Sequence, residues 1–240
     1  MQYQNPPIAE AILEIRFTPA HDEAVDCVKL HEKVKDTYPT KQILRLITGE
    51  FHAGELFSTS MKEAKGGCAF KSSDGLQTWQ AKPGSFLFGR QAPYERWQFF
   101  RDEARRLWQV FKQIAEPREI TRAAIRTVNR LDLPLPLRDL KDYLRTLPEV
   151  SSDLPQGLAA FFMQLQIPQD ELQSSLIINQ TIVPPPKPGV ASILLDIDLY
   201  RDHDLPQDED AMWSFFEQLH SKKNAIFEAC ITDEARKLFQ

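Results

Sequence analysis

Two stretches of this chain carry the same succession of hydrophobic periodicities, and that doubling limits the folds open to it more than any single motif. In Ile8–Phe17, Ala11, Leu13, Ile15 and Phe17 fall on one side and Glu10, Ile12, Glu14 and Arg16 on the other. A period of two marks a half-buried strand. A helix is expected from Asp22 to Tyr38, with Ala24, Cys27, Val28, His31, Val34 and Tyr38 along one face and Asp22 and Glu23 in the first turn. Residues 41–90 read as an antiparallel meander. Its strands are Gln42–Phe51, a piece near Leu56–Met61, Cys68–Ser72 and Leu76–Arg90, with turns at Gly66-Gly67 and Asp74-Gly75 and a bend at Pro83-Gly84. A long amphipathic helix, Tyr94–Ala115, closes the first succession.

The order then returns at an offset of about 112 residues. Ile120–Leu131 alternates as a strand and Leu137–Leu147 has helical spacing. Gly157–Ile167, Leu172–Val183 and Val190–Tyr200 read as strands, and Asp208–Cys230 as a long helix. Met212, Phe215, Phe216, Leu219, Ile226, Phe227 and Cys230 form its buried face, and Thr232 caps a short last helix. The expected fold class is therefore α+β: two pseudo-symmetric helix-grip-like halves, 1–116 and 117–240, each an antiparallel sheet wrapped on a long helix. The first strands of the halves could join the sheets, and one continuous domain is the second reading.

Composition narrows function. The net charge is −5, divided as +1 over residues 1–116 and −6 over the rest. Neither part has the basic excess that drives phosphate-backbone binding, so nucleic acid is not the favoured partner, although a local patch would allow it. Cys27, Cys68 and Cys230 are odd in number and widely spaced. They read as buried small hydrophobes, with neither a disulfide framework nor a zinc site, in a reducing, cytoplasmic setting. The opening residues lack a basic stretch before an apolar core, and no apolar run has the length to span a membrane.

Several stretches resemble a sporadically distributed bacterial family to which no activity is assigned. These are Tyr3-Gln4-Asn5-Pro6-Pro7-Ile8 with Glu10-Ala11, Pro93-Tyr94-Glu95-Arg96-Trp97 with Phe100, Trp108 and Phe111, Arg126 with Asn129-Arg130, and Asp196-Ile197-Asp198. The resemblance implies no catalytic residue. The family's patchy occurrence would suit an accessory component of a mobile or defence-type locus.

The chemistry-bearing residues concentrate on strand faces. Arg122, Arg126 and Arg130 share one side of a strand at a spacing of four; Asp196 and Asp198 share one side of another, and Gln164 and Gln166 one side of a third. Arg donors suit a carboxylate or phosphate, so these seven residues form the candidate surface for an anionic ligand or a protein partner. A plain solvent-facing sheet with cross-strand ion pairs is the competing reading. Glu10 and Glu14 are expected to pair with Arg122 or Arg126 and hold the halves together. Asp196-x-Asp198 and Asp202-His203-Asp204 would suit an oxygen-preferring cation, but the second group reads as a loop, and no metal or cofactor is expected. No nucleophile elbow, phosphate loop or HExxH occurs. The favoured function is a non-enzymatic binding protein that is a homodimer. An enzyme with a site between the halves is the alternative, and nucleic-acid binding the third.

Overall fold

The computed structural model describes residues 3–20, 25–52 and 58–240; the side chains of 46–52 and 58–65 lie outside what it describes. His21, the expected first helical turn at Asp22, Glu23 and Ala24, and Leu56 of the short strand piece all fall outside the described residues.

Among the described residues nine strands form one sheet. They are β1 (Ile8–Phe17), β2 (Thr40–His52), β3 (Ser58–Lys71), β4 (Gln77–Lys82), β5 (Ser85–Gln91), β6 (Ile120–Pro134), β7 (Phe162–Gln169), β8 (Ser174–Val183) and β9 (Val190–Arg201). Their hydrogen-bonded order is β2-β3-β4-β5-β1-β6-β9-β8-β7. The helices are α1 (Cys27–Val34), α2 (Trp97–Ala115), α3 (Glu209–Cys230) and the short α4 (Asp233–Lys237). By backbone contacts the chain divides into two compact units. The larger is Met1–Leu13, Gln91–Glu95 and Arg122–Gln240; the smaller is Glu14–Arg90 and Arg96–Thr121.

The expected pair of helix-grip halves is corrected by this topology. The strands belong to a single antiparallel sheet rather than to two helix-grip halves, and the second succession lacks the short helix of the first. Leu137–Leu147 is not a helix; only Leu140–Asp142 forms a 3-10 turn, capped by Asp139, whose side chain accepts from the Lys141 amide. Pro134, Pro136 and Pro148 confine the segment. Beyond the turn, Leu144 bridges to Ile231, the Arg145 amide donates to Cys230 O at 2.9 Å and the Thr232 amide to Tyr143 O at 3.0 Å. These bonds draw the backbone extended, and tertiary pairing overrides helical spacing.

In the smaller unit, Gly66-Gly67 is not a turn. Both glycines lie within β3, where the register against β2 shifts between Leu44 and Arg45, so Cys68–Ser72 and the piece ending at Met61 are parts of one bulged strand. Gly67 has φ +115°, and a Cβ there would stand 2.2 Å from Ala81 O, so only glycine fits. The Pro83-Gly84 bend is a two-residue turn joining β4 to β5. α2 lays Trp97, Phe100, Ala104, Leu107, Trp108 and Phe111 inward, where Phe17, Phe86 and Phe88 meet them. α1 begins at Cys27, because Asp26 caps it by accepting from the Val28 and Lys29 amides.

The cysteine expectation is also corrected. Cys27 and Cys68 form a disulfide with their Cα atoms 5.9 Å apart, closing a loop of 41 residues, while Cys230 is a buried free thiol. α1 lies against β3, with His31 stacked on Phe70 at 5.8 Å. That contact brings together two thiols whose spacing in sequence gives no hint of pairing. The argument for a reducing compartment loses its premise with them. In the unfolded, unreduced chain, thiol titration is expected to count only Cys230, and reduction to bring the count to three. A count of three before reduction refutes the bond.

In the larger unit α3 is capped by Asp208, which accepts from the Ala211 amide at 2.9 Å, and α4 by Thr232. No helix of the described residues is long and apolar enough to cross a membrane.

Candidate functional site

The larger unit's four strands β6, β9, β8 and β7 have two chemically distinct faces. Along β6, Ala123, Ile125, Thr127, Asn129, Leu131 and Leu133 are buried, and the even-numbered residues between Arg126 and Asp132 are not. The register carries the same division outward. Arg126 lies opposite Asp198, Val128 opposite Asp196, Asp196 opposite Asn179 and Asn179 opposite Gln164. The outer face therefore collects six of the seven residues singled out in the sequence into three clusters.

The central cluster crosses all four strands. Arg126 grips Asp196 with two parallel bonds, Nε to Oδ1 at 2.8 Å and Nη2 to Oδ2 at 2.7 Å. Asn179 Nδ2 donates to Asp196 Oδ2 at 3.1 Å, and Gln164 Nε2 donates to Asn179 Oδ1 at 2.8 Å. The bond to Asp196 raises the Arg126 guanidinium above its ordinary value, and the charges of Asp196, Asp198 and Glu10 add to it. In the second cluster Arg122 Nη2 donates to Asp198 Oδ2 at 3.2 Å, with its guanidinium 3.8 Å from the Tyr200 ring centre. In the third, Arg130 reaches Asp132 at 3.0 Å, Pro184 O at 3.1 Å and Ser192 Oγ at 3.3 Å, and the Ser192 hydroxyl donates to Asp132.

Gln166 lies on the same face, exposed and opposite Ile177, outside these clusters. Glu14 accepts from Arg16 Nε at 3.0 Å, and Glu10 acts on Arg126 through its charge. Around the clusters, Arg122, Arg126 and Arg130 share the face with Glu10, Asp132, Asp196 and Asp198, so carboxylates outnumber cations by one. Such a face has each guanidinium already neutralised; it is a fixed lattice of donors and acceptors, not a cationic trap. Among the described residues no three His, Cys, Asp or Glu side chains are placed to hold a metal ion. The Asp202–Asp204 turn holds itself instead, with Arg201 donating to His203 O and Asp204 O.

At the end of the sheet stands β7, whose sequence FMQLQIPQ contains no charge. Phe162 is 69% exposed, and Gln164, Gln166 and Ile167 are exposed as well.

The inner face holds polar groups that the sequence reading passed over. Asn129 Nδ2 donates to Leu195 O at 3.0 Å, and Gln180, opposite Leu195 on β8, is fully buried. Lys223 of α3 is 4% exposed, and burial pushes its ammonium down to about 8. His220, one turn away, is pushed down to about 3, chiefly by burial and then by the Lys223 charge. The signal for Lys223 was present: it continues the inward stripe Met212, Phe216, Leu219, Ile226 and Cys230 at spacings of three and four. Gln180 likewise continues the buried alternation of Leu176 and Ile178.

No protein-family model matches the chain, and no curated protein matches it either.

Proposed function

We propose that this chain is an interaction module that associates with a second copy of itself through the outer β6–β9–β8–β7 face and the free edge of β7. The single observation that carries this reading is the edge strand. Among the described residues no strand pairs beyond β7, and its row of backbone groups bears no Lys, Asp or Glu to deter another strand. Only Pro168 interrupts it, near its end. An uncharged strand pairs antiparallel with its own twofold image without opposing like charges. The adjoining face favours the same partner. Interleaved Arg and Asp side chains match their own rotated copy, as a twofold interface requires. The excess of carboxylates on the face counts against a free anion as the ligand.

Sedimentation of the full chain tests this. The wild type is expected to be a dimer at micromolar concentration. The double variant Gln164→Lys/Gln166→Lys, which sets ammonium groups against each other across the twofold, should dissociate about 100-fold more readily, since like-charge juxtaposition costs several kcal/mol. Arg126→Ala should weaken the dimer about tenfold by leaving Asp196 without its fork. A wild type that stays monomeric at high micromolar concentration, or a double variant that dimerises like the wild type, refutes the proposal.

A further inference from the structure

In the smaller unit Cys27 and His31 lie four residues apart on α1, and Cys68 and Phe70 two residues apart on β3. Four residues of helix rise about 6 Å and two residues of strand about 7 Å, and each pair shares one face of its element. The two elements therefore meet in two matched rungs. One is the Cys27–Cys68 bond, with Cα atoms 5.9 Å apart; the other is the His31 ring stacked on Phe70. The second rung stands without the first. Leu30 and Val34 of the same helix are buried, and His31 Nε2 lies 3.1 Å from Pro39 O. With the bond opened, α1 keeps these contacts, and the two sulfurs stay within bonding reach of each other.

The two sulfurs have different surroundings. Cys68 is wholly buried on β3, opposite Ile43 of β2 and Ala81 of β4. Burial among apolar groups keeps a thiol protonated and shields it from reagents in solution. Cys27 is half-buried and is the first residue of α1, at the end of the helix whose field favours a thiolate. The carboxylate of the neighbouring Asp26 is already engaged: it accepts from the Val28 amide at 3.1 Å and the Lys29 amide at 3.0 Å, and Lys29 Nζ stands 3.3 Å from it. A reachable sulfur set against a shielded thiol is the arrangement of an attacking cysteine and a resolving one.

We infer that the reduced pair is an oxidation site for hydrogen peroxide, in which Cys27 takes the oxygen and Cys68 closes the bond. The Cys27 thiolate attacks one oxygen of the peroxide and the O–O bond breaks. The other oxygen leaves as hydroxide and takes up a proton to become water, and Cys27, oxidised by two electrons, becomes a sulfenic acid. The Cys68 sulfur then displaces hydroxide from the Cys27 sulfur. The S–S bond forms, and the Cys68 proton leaves with the hydroxide as a second water. A dithiol reverses the sequence by exchange, giving two electrons to the bond and becoming a disulfide itself.

The test treats the full chain, reduced and freed of reductant, with hydrogen peroxide and counts its thiols after unfolding. The count is expected to fall from three to one, leaving the buried Cys230, and to fall at least tenfold faster than in the same chain held in urea. Cys68→Ser cannot close the bond, so dimedone, which captures a sulfenic acid, should label Cys27, as read by mass spectrometry. Under the same exposure Cys27→Ser should keep Cys68 and Cys230 as thiols. Circular dichroism verifies that each variant is folded. Excess dimedone present while the wild type is oxidised should also label Cys27, which locates the attacking sulfur without any substitution. A folded wild type that keeps three thiols, closure no faster than in urea, or dimedone found on Cys68 overturns the inference.

Discussion

Phe86→Ala is expected to destabilise the smaller unit by about 3–5 kcal/mol, the range found when a buried aromatic ring is truncated. Phe86 is wholly buried on β5. Its ring centre lies 5.4 Å from that of Trp108 in an edge contact, 5.7 Å from Phe111 and 6.1 Å from Trp79. Those partners are themselves linked: Phe17 meets Phe111 at 5.4 Å, and Phe70 meets Trp79 at 4.8 Å. Large rings tied to strands and to α2 cannot collapse into the space left by one of their number. The cost is therefore both the lost transfer energy and an unfilled cavity. Trp79 and Trp108 border the site, so their fluorescence during urea unfolding reports the change directly. A shift of the midpoint worth less than about 1 kcal/mol would show that the cluster is not the packing centre of this unit.

The same aromatic cluster shows what the sequence made legible. The inward stripe of α2 from Trp97 to Phe111 and the alternation of β1 are local patterns, and the elements formed where those patterns lie. Caps were equally local: Asp208 and Thr232 each accept from an amide three residues on. Arg122, Arg126 and Arg130 share a face because the period of a strand is two, so a spacing of four returns to the same side. Which carboxylate each would meet was not legible. Arg126 stands opposite Asp198 yet grips Asp196, a diagonal choice set by register and by the Asn179 bond. The pairing order of the nine strands, the disulfide across 41 residues and the unwinding of Leu137–Leu147 share that origin. Each depends on a partner far away in the chain, about which local periodicity is silent. Leu144 had helical spacing but found Ile231, and the distant contact prevailed.

Lys223 carries the second large effect, with the opposite sign: Lys223→Met is expected to stabilise the larger unit by about 3 kcal/mol at pH 7. Burial lowers the folded-state value from 10.5 to about 8, and each pH unit of displacement is worth about 1.4 kcal/mol. Below about pH 8 both folded and unfolded chains hold the proton, so the full penalty of burying the charge is present. Between about 8 and 10.5 the unfolded chain holds more protons than the folded one, and stability rises with pH. Above 10.5 the amine is neutral in both states and the penalty is gone. The wild type should therefore trail Lys223→Met by the full amount at neutral pH, gain on it above about pH 8 and draw level with it near pH 10.5. Taking the difference between the two proteins in urea at each pH cancels the tyrosines, including Tyr3, which burial holds up to about 12. Methionine fills similar space without a charge, so packing is nearly conserved. A variant less stable than the wild type at pH 7, or a difference that does not change with pH, would mean that Lys223 has found a partner in the fold and is not a buried, uncompensated charge.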